Sequence, residues 1–237
     1  VLSGAGMDRI RELAEYLRDC SAPKIILRVG YEFDNPSFGY SDDPSAYASA
    51  FRKIVDEIQD VLKTSHMQGK VLFVWHSWAA PRAAGVSLDD FYPGDGYVDW
   101  VGVSIFQQVF PAASDAWYWA GDAGSVEEVL DYARGRGKPT MIAESAPFGG
   151  IGVDTWHTWF VPVLDLIDRH DISMWSYIAC DWDSQPMWRG VGFGDTRIPT
   201  GGVIGREWAA LLEGKSNYTG RAFLGGGSLG SCGRDVA

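Results

Sequence analysis

The chain has 237 residues, of which 46% are hydrophobic and 22% are charged, as expected for one ordinary globular domain. Its net charge of −11 argues against a nucleic-acid partner, because phosphate backbones are bound by a surplus of Lys and Arg. No run approaches the ~20 apolar residues of a membrane span, so we expect no membrane partner.

The three cysteines, Cys20, Cys180 and Cys232, lie far apart and form no CxxC pair. They indicate neither a disulfide-dense scaffold nor a cysteine zinc site, and their odd number leaves at least one thiol unpaired. We expect a secreted or extracellular protein, although the sequence does not open with a signal peptide.

Apolar runs of strand length alternate with segments of helical periodicity. In chain order we predict helix 7–20, strand 24–29, helix 44–63, strands 71–75 and 97–106, helix 125–134, strand 140–144, helix 156–170, strand 172–179 and helix 207–213. Strands that are nearly continuous in apolar residues and separated by helices indicate parallel β/α units, covered on both faces. We predict one domain over 1–220 and a disordered Gly/Ser-rich tail over 221–237.

Two acidic residues end two of the predicted strands. Glu32 follows strand 24–29, and Glu144 closes strand 140–144. Strand residues alternate between faces, so we expect Arg28 to point the same way as Glu32, and Ile142 the same way as Glu144. In a barrel, the carboxyl ends of the strands line the active site. A single glutamate there is commonly a structural ion pair, whereas two are a sharper indication of catalysis.

Aromatic residues are abundant, with 11 Trp, 10 Tyr and 11 Phe. Several lie beside polar groups, as in the segments 75–78, 117–119, 156–159 and 181–183. Sugar rings stack on indoles through their C–H faces while their hydroxyls seek polar partners. Packing in the core explains most individual tryptophans, but the cluster as a whole favours a carbohydrate surface.

Three segments carry a resemblance to a known family: 28–33 (RVGYEF), 92–102 (YPGDGYVDWVG) and 138–144 (KPTMIAE). Over about residues 24–182 the chain resembles glycoside hydrolase family 26, within the clan that has its acid/base on strand four and its nucleophile on strand seven. The resemblance implies an α/β fold, the (β/α)₈ TIM-type barrel, of which this chain supplies about strands four to eight. Three strands at the N-terminal side would then be missing. An open barrel exposes sheet edges, so we expect a fragment, or a partner in the missing N-terminal segment of the same barrel.

The resemblance also implies residue roles. Glu32 becomes the acid/base and Glu144 the nucleophile of a retaining mechanism, which needs carboxyl groups about 5–5.5 Å apart. Arg28 is expected either to keep Glu144 ionised or to form a structural ion pair below it. The sequence departs from the family at Tyr31, where His is usual. It departs again on strand six, where Ser104 and Phe106 replace Asp and Tyr.

Further substrate-binding residues follow from the same comparison. The family's strand-six Tyr commonly contacts the nucleophile, and here His76 or Gln107 is the candidate replacement. Trp175 or Trp182 is expected to form the sugar platform at the cleavage point. Trp175 is the preferred candidate because the end of strand eight faces that position, with core packing as its alternative. Trp78, beside His76 in an aromatic and polar segment, completes the set together with Tyr31 and Phe106.

We therefore predict an endo-acting hydrolase of a β-linked polysaccharide (mannan, xylan or β-glucan), similar to endo-β-mannanases, with an oligosaccharide or polysaccharide as substrate. No cofactor and no metal are expected, since two carboxylates suffice and the four His lack ligand spacing. A serine hydrolase is disfavoured because the segment 102–106 lacks the final Gly of GxSxG. Two alternatives stay open: a non-catalytic carbohydrate-binding barrel, and a glycosidase of another family in the clan.

Overall fold

The computed structural model describes residues 1–80, 82, 84–106 and 123–214, which form α-helices and β-strands in alternation. The helices are α1 (Met7–Arg18), α2 (Pro44–Leu62), α3 (Leu88–Phe91), α4 (Ala123–Gly135), α5 (Val161–His170) and α6 (Gly202–Gly214). The strands are β1 (Ile25–Arg28), β2 (Val71–Ser77), β3 (Trp100–Ile105), β4 (Thr140–Ser145) and β5 (Met174–Trp175). Two 3₁₀ turns, Gly39–Asp42 and Trp182–Ser184, and a π-helical turn, Trp156–Phe160, lie between them.

The five strands form one parallel sheet in the order β1-β2-β3-β4-β5. Sequential parallel strands joined through helices curl the sheet into a half-barrel, so the predicted partial (β/α)₈ architecture is confirmed. Within the described ranges, β1 and β5 each pair on one side. Because all strands run the same way, their carboxyl ends meet at one edge of the sheet.

The two faces of the sheet carry different packing. On the outer face, the main core joins the sheet to the helices, and Phe73, Trp75, Val103 and Ile142 are buried in it. On the inner face, a smaller apolar cluster contains Val74, Met141 and Ala143, flanked by the partly buried Ile26, Trp100 and Met174. The outer face therefore anchors the sheet, while the inner face borders the interior of the half-barrel.

Some predicted boundaries differ from the structure for local reasons. The strand predicted at 97–106 begins at Trp100. Asp99, just before it, binds β2 through its side chain, whose carboxylate accepts from Phe73 N at 2.8 Å. The strand predicted at 172–179 is short, although Ile178 N still donates to Ser145 O at 2.8 Å. The α-helix predicted from 156 begins at Val161 after the π-helical turn, because Pro162 lacks the N–H of a regular helical turn.

Two further predictions concern residues that the structure does not describe. The tail predicted at 221–237 and the candidate Gln107 lie outside the described residues. Among the described helices, none is both long and apolar enough to cross a membrane.

Gly102, on the inner face of β3, offers a test of how tightly the half-barrel interior is packed. A Cβ there would lie 3.0 Å from Ala143 Cβ and 3.1 Å from Val74 Cγ1, and both atoms are fixed by neighbouring strands. We expect Gly102→Ala to lower the free energy of unfolding by about 1 kcal/mol, measured by urea denaturation, because overpacking outweighs the gain in backbone order. Gly96→Ala, where nothing lies within 4 Å of the added carbon, is the matched control. A Gly102→Ala protein as stable as the control would contradict tight packing.

Candidate active site

Four strand ends bring polar side chains together at the carboxyl edge of the sheet. Arg28 ends β1, His76 lies near the end of β2, Ser104 lies near the end of β3, and Glu144 lies near the end of β4. Glu32 joins them from the turn after β1. Both predicted carboxylates therefore belong to one constellation with Arg28 and His76.

The turn that carries Glu32 has an unusual backbone. The expected alternation between Arg28 and Glu32 does not apply, because β1 ends at Arg28 and the chain turns before Glu32. Gly30 and Glu32 both have a φ of 54°, in the left-handed region that costs a non-glycine residue about 1 kcal/mol or more. At Gly30 a Cβ would lie 2.9 Å from the ring of Tyr47. Phe33 N donates to His76 O at 3.0 Å and fixes the turn against β2.

The carboxyl group of Glu32 is buried beside neutral hydrogen-bond donors. Ser104 Oγ donates to Oε1 at 2.6 Å, and Asn35 Nδ2 donates to Oε2 at 3.0 Å. Glu32 is 4% exposed, and this burial raises its pKa to about 7, against the two hydrogen bonds that lower it and with a further increase from the charge of Glu144. Glu32 is therefore suited to hold and release a proton near neutral pH.

Glu144 reaches the same edge through an irregularity in β4. The pairing with β3 shifts so that Val103 lies opposite Ile142 but Ser104 lies opposite Glu144, which leaves Ala143 as an extra residue. The prediction that Ile142 and Glu144 share a face is therefore wrong: Ile142 lies in the outer core, whereas Glu144 turns inward to Arg28. Bulges of this kind redirect side chains beside active sites.

Arg28 forms the charged partner of Glu144. Arg28 Nη1 donates to Glu144 Oε1, and both side chains remain partly exposed, at 34% and 22%. The two carboxylates thus differ in their neighbours, since Glu32 contacts neutral donors and Glu144 contacts a cation. A buried proton holder beside an ion-paired carboxylate is an arrangement that separates acid and nucleophile roles.

His76 lies between Ser104, which binds Glu32, and Arg28, which binds Glu144. Its Nε2 lies 2.9 Å from Ser104 Oγ, and its Nδ1 lies 3.5 Å from Arg28 Nη1. The ring is fully buried, and burial together with the charge of Arg28 holds the pKa of His76 well below its usual value, so the ring is neutral. The sequence analysis predicts that His76 or Gln107 contacts the nucleophile in place of Tyr, whereas the ring nitrogens of His76 contact Ser104 and Arg28.

Tyr31, which stands where His is usual in the resemblance, lies at the exposed side of this constellation. Its ring centroid is 6.2 Å from that of His76 and 5.8 Å from the guanidinium carbon of Arg28. It is 42% exposed, so an accessible phenol borders the two carboxylates.

Three of the predicted aromatic residues meet in a second group above the strand ends, which we call the upper aromatic cluster. Its buried members are Trp78, Ala80, Phe106, Ala146, Trp182 and Phe193, flanked by the partly buried Phe148, Ile178, Cys180 and Trp188. Trp78 and Phe106 have ring centroids 5.2 Å apart, and Trp182 donates through Nε1 to Thr196 Oγ1 at 3.1 Å. The cluster forms an apolar wall beyond the strand ends, on the side where the carboxylates lie.

Trp175, the other predicted platform, does not join either group. It packs with the main core, where its ring centroid is 5.5 Å from that of Trp208. Its Nε1 donates to Ser145 Oγ at 2.8 Å, on the outer face of the sheet. Side chains alternate across a strand, so the inward residue of β5 is Met174 and Trp175 faces the helices. The core-packing alternative therefore describes Trp175.

Two polar residues that the sequence analysis did not select support the site. Asn35 holds Glu32 directly, and the buried Asp34 accepts from Ser77 Oγ at 2.7 Å and from Trp78 N at 2.6 Å. These bonds tie the turn after β1 to the loop after β2, and burial raises the pKa of Asp34 to about 6. The signal that could have identified them is their position directly after Glu32. In the described residues, no group of three or more His, Cys, Asp or Glu side chains could hold a metal ion.

The sequence matches one family model and two curated relatives. Residues 2–146, more than half of the chain, match the model of the family described as Glycosyl hydrolase family 26. The Beta-1,3-xylanase TXYA of a Vibrio species is 28% identical over 230 residues, covering 86% of this chain and 45% of the relative. A Beta-1,3-xylanase of an Alcaligenes species is 28% identical over 239 residues, covering 90% and 47%. The chain spans about half the length of the curated relatives it matches.

Solved structures give the same fold. A modular endo-beta-1,4-mannanase from Cellulomonas fimi superposes with a TM-score of 0.56 at 22% identity, covering 90% of this chain and 46% of that one. A beta-mannanase from Bacteroides ovatus gives a TM-score of 0.60 at 14% identity, covering 100% and 65%. At these identities the likeness establishes the barrel fold.

The raised pKa of Glu32 predicts how stability depends on pH. Burial moves its pKa from the ordinary 4.5 to about 7, so the folded protein binds more protons than the unfolded chain in that interval. The stability from protonated Glu32 is complete below about pH 4 and is lost as pH rises through about 7. We expect Glu32→Gln, which cannot titrate, to gain about 3 kcal/mol in the free energy of unfolding relative to wild type between pH 4 and pH 8, measured by urea unfolding.

The exposed Glu12 of α1 supplies the control, since Glu12→Gln removes a carboxylate that is 62% exposed. Its free energy of unfolding is measured at the same pH values, as the reference for the loss of a carboxylate that is not buried. Equal pH dependence of wild type and Glu32→Gln would show that Glu32 does not titrate in this interval.

Proposed function

This chain belongs to glycosyl hydrolase family 26, and on that basis we propose that it is a retaining, endo-acting glycoside hydrolase of a β-linked polysaccharide. The observation that carries the proposal is the pair of carboxylates in opposite environments: Glu32, buried with neutral donors, and Glu144, paired with Arg28. The two are close enough for the charge of Glu144 to raise the pKa of Glu32. Retaining hydrolysis requires such a pair, one carboxyl group protonated and the other anionic.

In the first step, Glu144 attacks the anomeric carbon while the bond to the leaving oxygen breaks. Glu32 gives its proton to that oxygen, and a covalent glycosyl-enzyme forms. In the second step, water attacks the same carbon, Glu32 accepts the proton of the water, and the bond to Glu144 breaks. Arg28 balances the charge of Glu144 before attack and after its release.

The electrostatic link between the carboxylates favours this exchange of roles. The negative charge of Glu144 raises the pKa of Glu32 in the free enzyme, which retains the proton for the first step. Esterification of Glu144 removes that charge, so the pKa of Glu32 falls and the carboxylate becomes available as the base. One residue can then serve as acid and afterwards as base.

For the substrate we propose xylan ahead of mannan or β-glucan. The two curated relatives are named Beta-1,3-xylanase, and their identity to this chain exceeds that of the mannanase structures, which support the fold alone. In the upper aromatic cluster, the partly exposed Trp188 packs against the buried Trp182 and offers an apolar face on which a pyranose ring can stack. No cofactor enters the proposal, and secretion is the expected location for an enzyme of this substrate class.

The departures on strand six are compatible with activity. Ser104 supplies a hydrogen bond to Glu32, and Phe106 becomes part of the upper aromatic cluster. A binding protein would not need a raised pKa on one carboxyl group and an ion pair on the other. We also propose that β1 and β5, each of which pairs on one side only among the described residues, accept further strands of the same barrel.

Azide rescue separates the two carboxylate roles. We expect Glu32→Ala and Glu144→Ala each to lower kcat/KM on β-1,3-xylan by about 10²–10⁴-fold or more in the full-length protein. With an activated aryl β-xylobioside and azide, Glu144→Ala should yield the α-glycosyl azide and Glu32→Ala the β-glycosyl azide. Product anomers are identified by ¹H NMR, and β-1,4-mannan and mixed-linkage β-glucan are assayed in parallel.

Glu12→Ala, at an exposed position on α1, should retain wild-type activity on the same substrates. Reversed azide anomers would contradict the assigned roles. Full activity of either glutamate variant would exclude that residue from catalysis, and a preference for mannan would overturn the proposed substrate while leaving the mechanism intact.

A further inference from the structure

A continuous hydrogen-bonded path joins the two carboxylates through side chains at the ends of three strands. From Glu32 it passes to Ser104 at 2.6 Å, to His76 at 2.9 Å, to Arg28 at 3.5 Å, and from Arg28 to Glu144. Ser104 and His76 are each 0% exposed, so water does not compete for these contacts. The resemblance to the family assigns no such role to a serine at this position.

Donor and acceptor counts fix the direction of this path. Arg28 can donate but not accept, so the ring nitrogen facing it, Nδ1 of His76, must be the acceptor. A neutral imidazole then carries its proton on Nε2, which donates to Ser104 Oγ. Ser104 has one hydroxyl hydrogen, and it is left to donate to Oε1 of Glu32.

We propose that His76 and Ser104 form a neutral hydrogen-bond relay that positions the carboxyl group of Glu32 for proton transfer to and from the substrate. The inference deepens the proposed hydrolase function and rests on it. Ser104 donates one hydrogen bond to Oε1 of Glu32 and Asn35 donates one to Oε2. Because both oxygens are bound, the orientation of the carboxyl plane is fixed. His76 acts through Ser104 and is a positioning residue, as is Ser104 itself.

The packing of the inner face also fixes the position of the His76 ring. Gly102, adjacent on β3, leaves room for the ring, since a Cβ there would lie 3.4 Å from His76 Cδ2. The backbone oxygen of His76 accepts from Phe33 N at 3.0 Å, so the same residue fixes the turn that carries Glu32. Ring and backbone of His76 together set where the Glu32 carboxyl group lies.

Leaving-group dependence distinguishes a positioning role from a structural one. When a polysaccharide is cleaved, the leaving oxygen must be protonated by an acid. When a 2,4-dinitrophenyl glycoside is cleaved, the leaving group is the stable dinitrophenolate, which departs without protonation. We expect Ser104→Ala to lower kcat/KM on xylan by about 10–100-fold, because misplacing a catalytic group by about 1 Å can cost about 100-fold in rate. On the dinitrophenyl glycoside the loss should stay within about threefold, since proton donation contributes little there.

Two substitutions of His76 test the direction of the relay. His76→Gln places an amide N–H near the position of Nε2 and can still donate to Ser104. We therefore expect its ratio of kcat/KM on xylan to kcat/KM on the dinitrophenyl glycoside to stay close to that of wild type. The amide of His76→Asn reaches only the position of Nδ1, so it cannot donate to Ser104. We expect its ratio of the two kcat/KM values to fall as far as that of Ser104→Ala. Equal effects of both variants would contradict the direction of the relay.

A buried serine on the opposite face controls for loss of packing. Ser145 is 0% exposed and its hydroxyl donates to Ser176 O at 2.8 Å, so Ser145→Ala removes a comparable group. We expect it to lower stability while both substrates change in parallel. If Ser104→Ala also affects both substrates equally, Ser104 is merely structural and the relay is wrong.

An activity-independent measurement keeps the relay and the hydrolase proposal separable. In ¹⁵N NMR of the wild-type protein, His76 should be neutral with its proton on Nε2, and Ser104→Ala should change the Nε2–H signal. Observing the proton on Nδ1 overturns the relay whatever the activity. A correct tautomer in a wild-type protein that hydrolyses none of the polysaccharides would overturn the hydrolase proposal instead, and with it the catalytic meaning of the relay.

Discussion

Burial of one carboxyl group without a cationic contact is the constraint on which the site depends. Glu32 sits in a left-handed turn, is nearly inaccessible to solvent, and contacts the neutral donors Ser104 and Asn35. The left-handed backbone and the burial each cost folding free energy, through strain or through desolvation of the charged form, whereas the two hydrogen bonds favour the charged form. The surrounding structure holds the turn by backbone contact with His76 and by the bonds of Asp34 to the loop after β2. Functional sites commonly retain such local costs because the remaining fold is stable enough to support them.

The parallel sheet provides the second requirement, which is that distant segments end at one place. Arg28 and Glu144 lie on the first and fourth strands of the sheet, and the curl of the half-barrel brings their side chains into an ion pair. The bulge at Ala143 then determines which face Glu144 occupies. Without the bulge, regular alternation through Ala143 would direct Glu144 into the outer core beside Ile142, where a charge is strongly disfavoured.

Most of the described tryptophans fall into two groups, one on the outer face of the sheet and one beyond the ends of the strands. Trp75, Trp159 and Trp175 are packed between sheet and helices, where they stabilise the outer core. Trp78, Trp182 and Trp188 lie beyond the strand ends in the upper aromatic cluster. Composition alone describes both groups identically, because a tryptophan is suited equally to a core and to a sugar surface. Their separation follows from their position relative to the strand ends, which only the packing of the strands and loops decides.

The sequence by itself determined the α/β class, the order of the elements, the family resemblance and the two carboxylates, because apolar periodicity and short motifs are local properties of the chain. It also paired Arg28 with Glu144 as one of two possibilities. Tertiary structure decided the rest: the face of Glu144, the outward packing of Trp175, and the contacts of His76 and Ser104 with Glu32. These depend on strand register, a one-residue bulge and burial, which arise when segments far apart in the chain pack together.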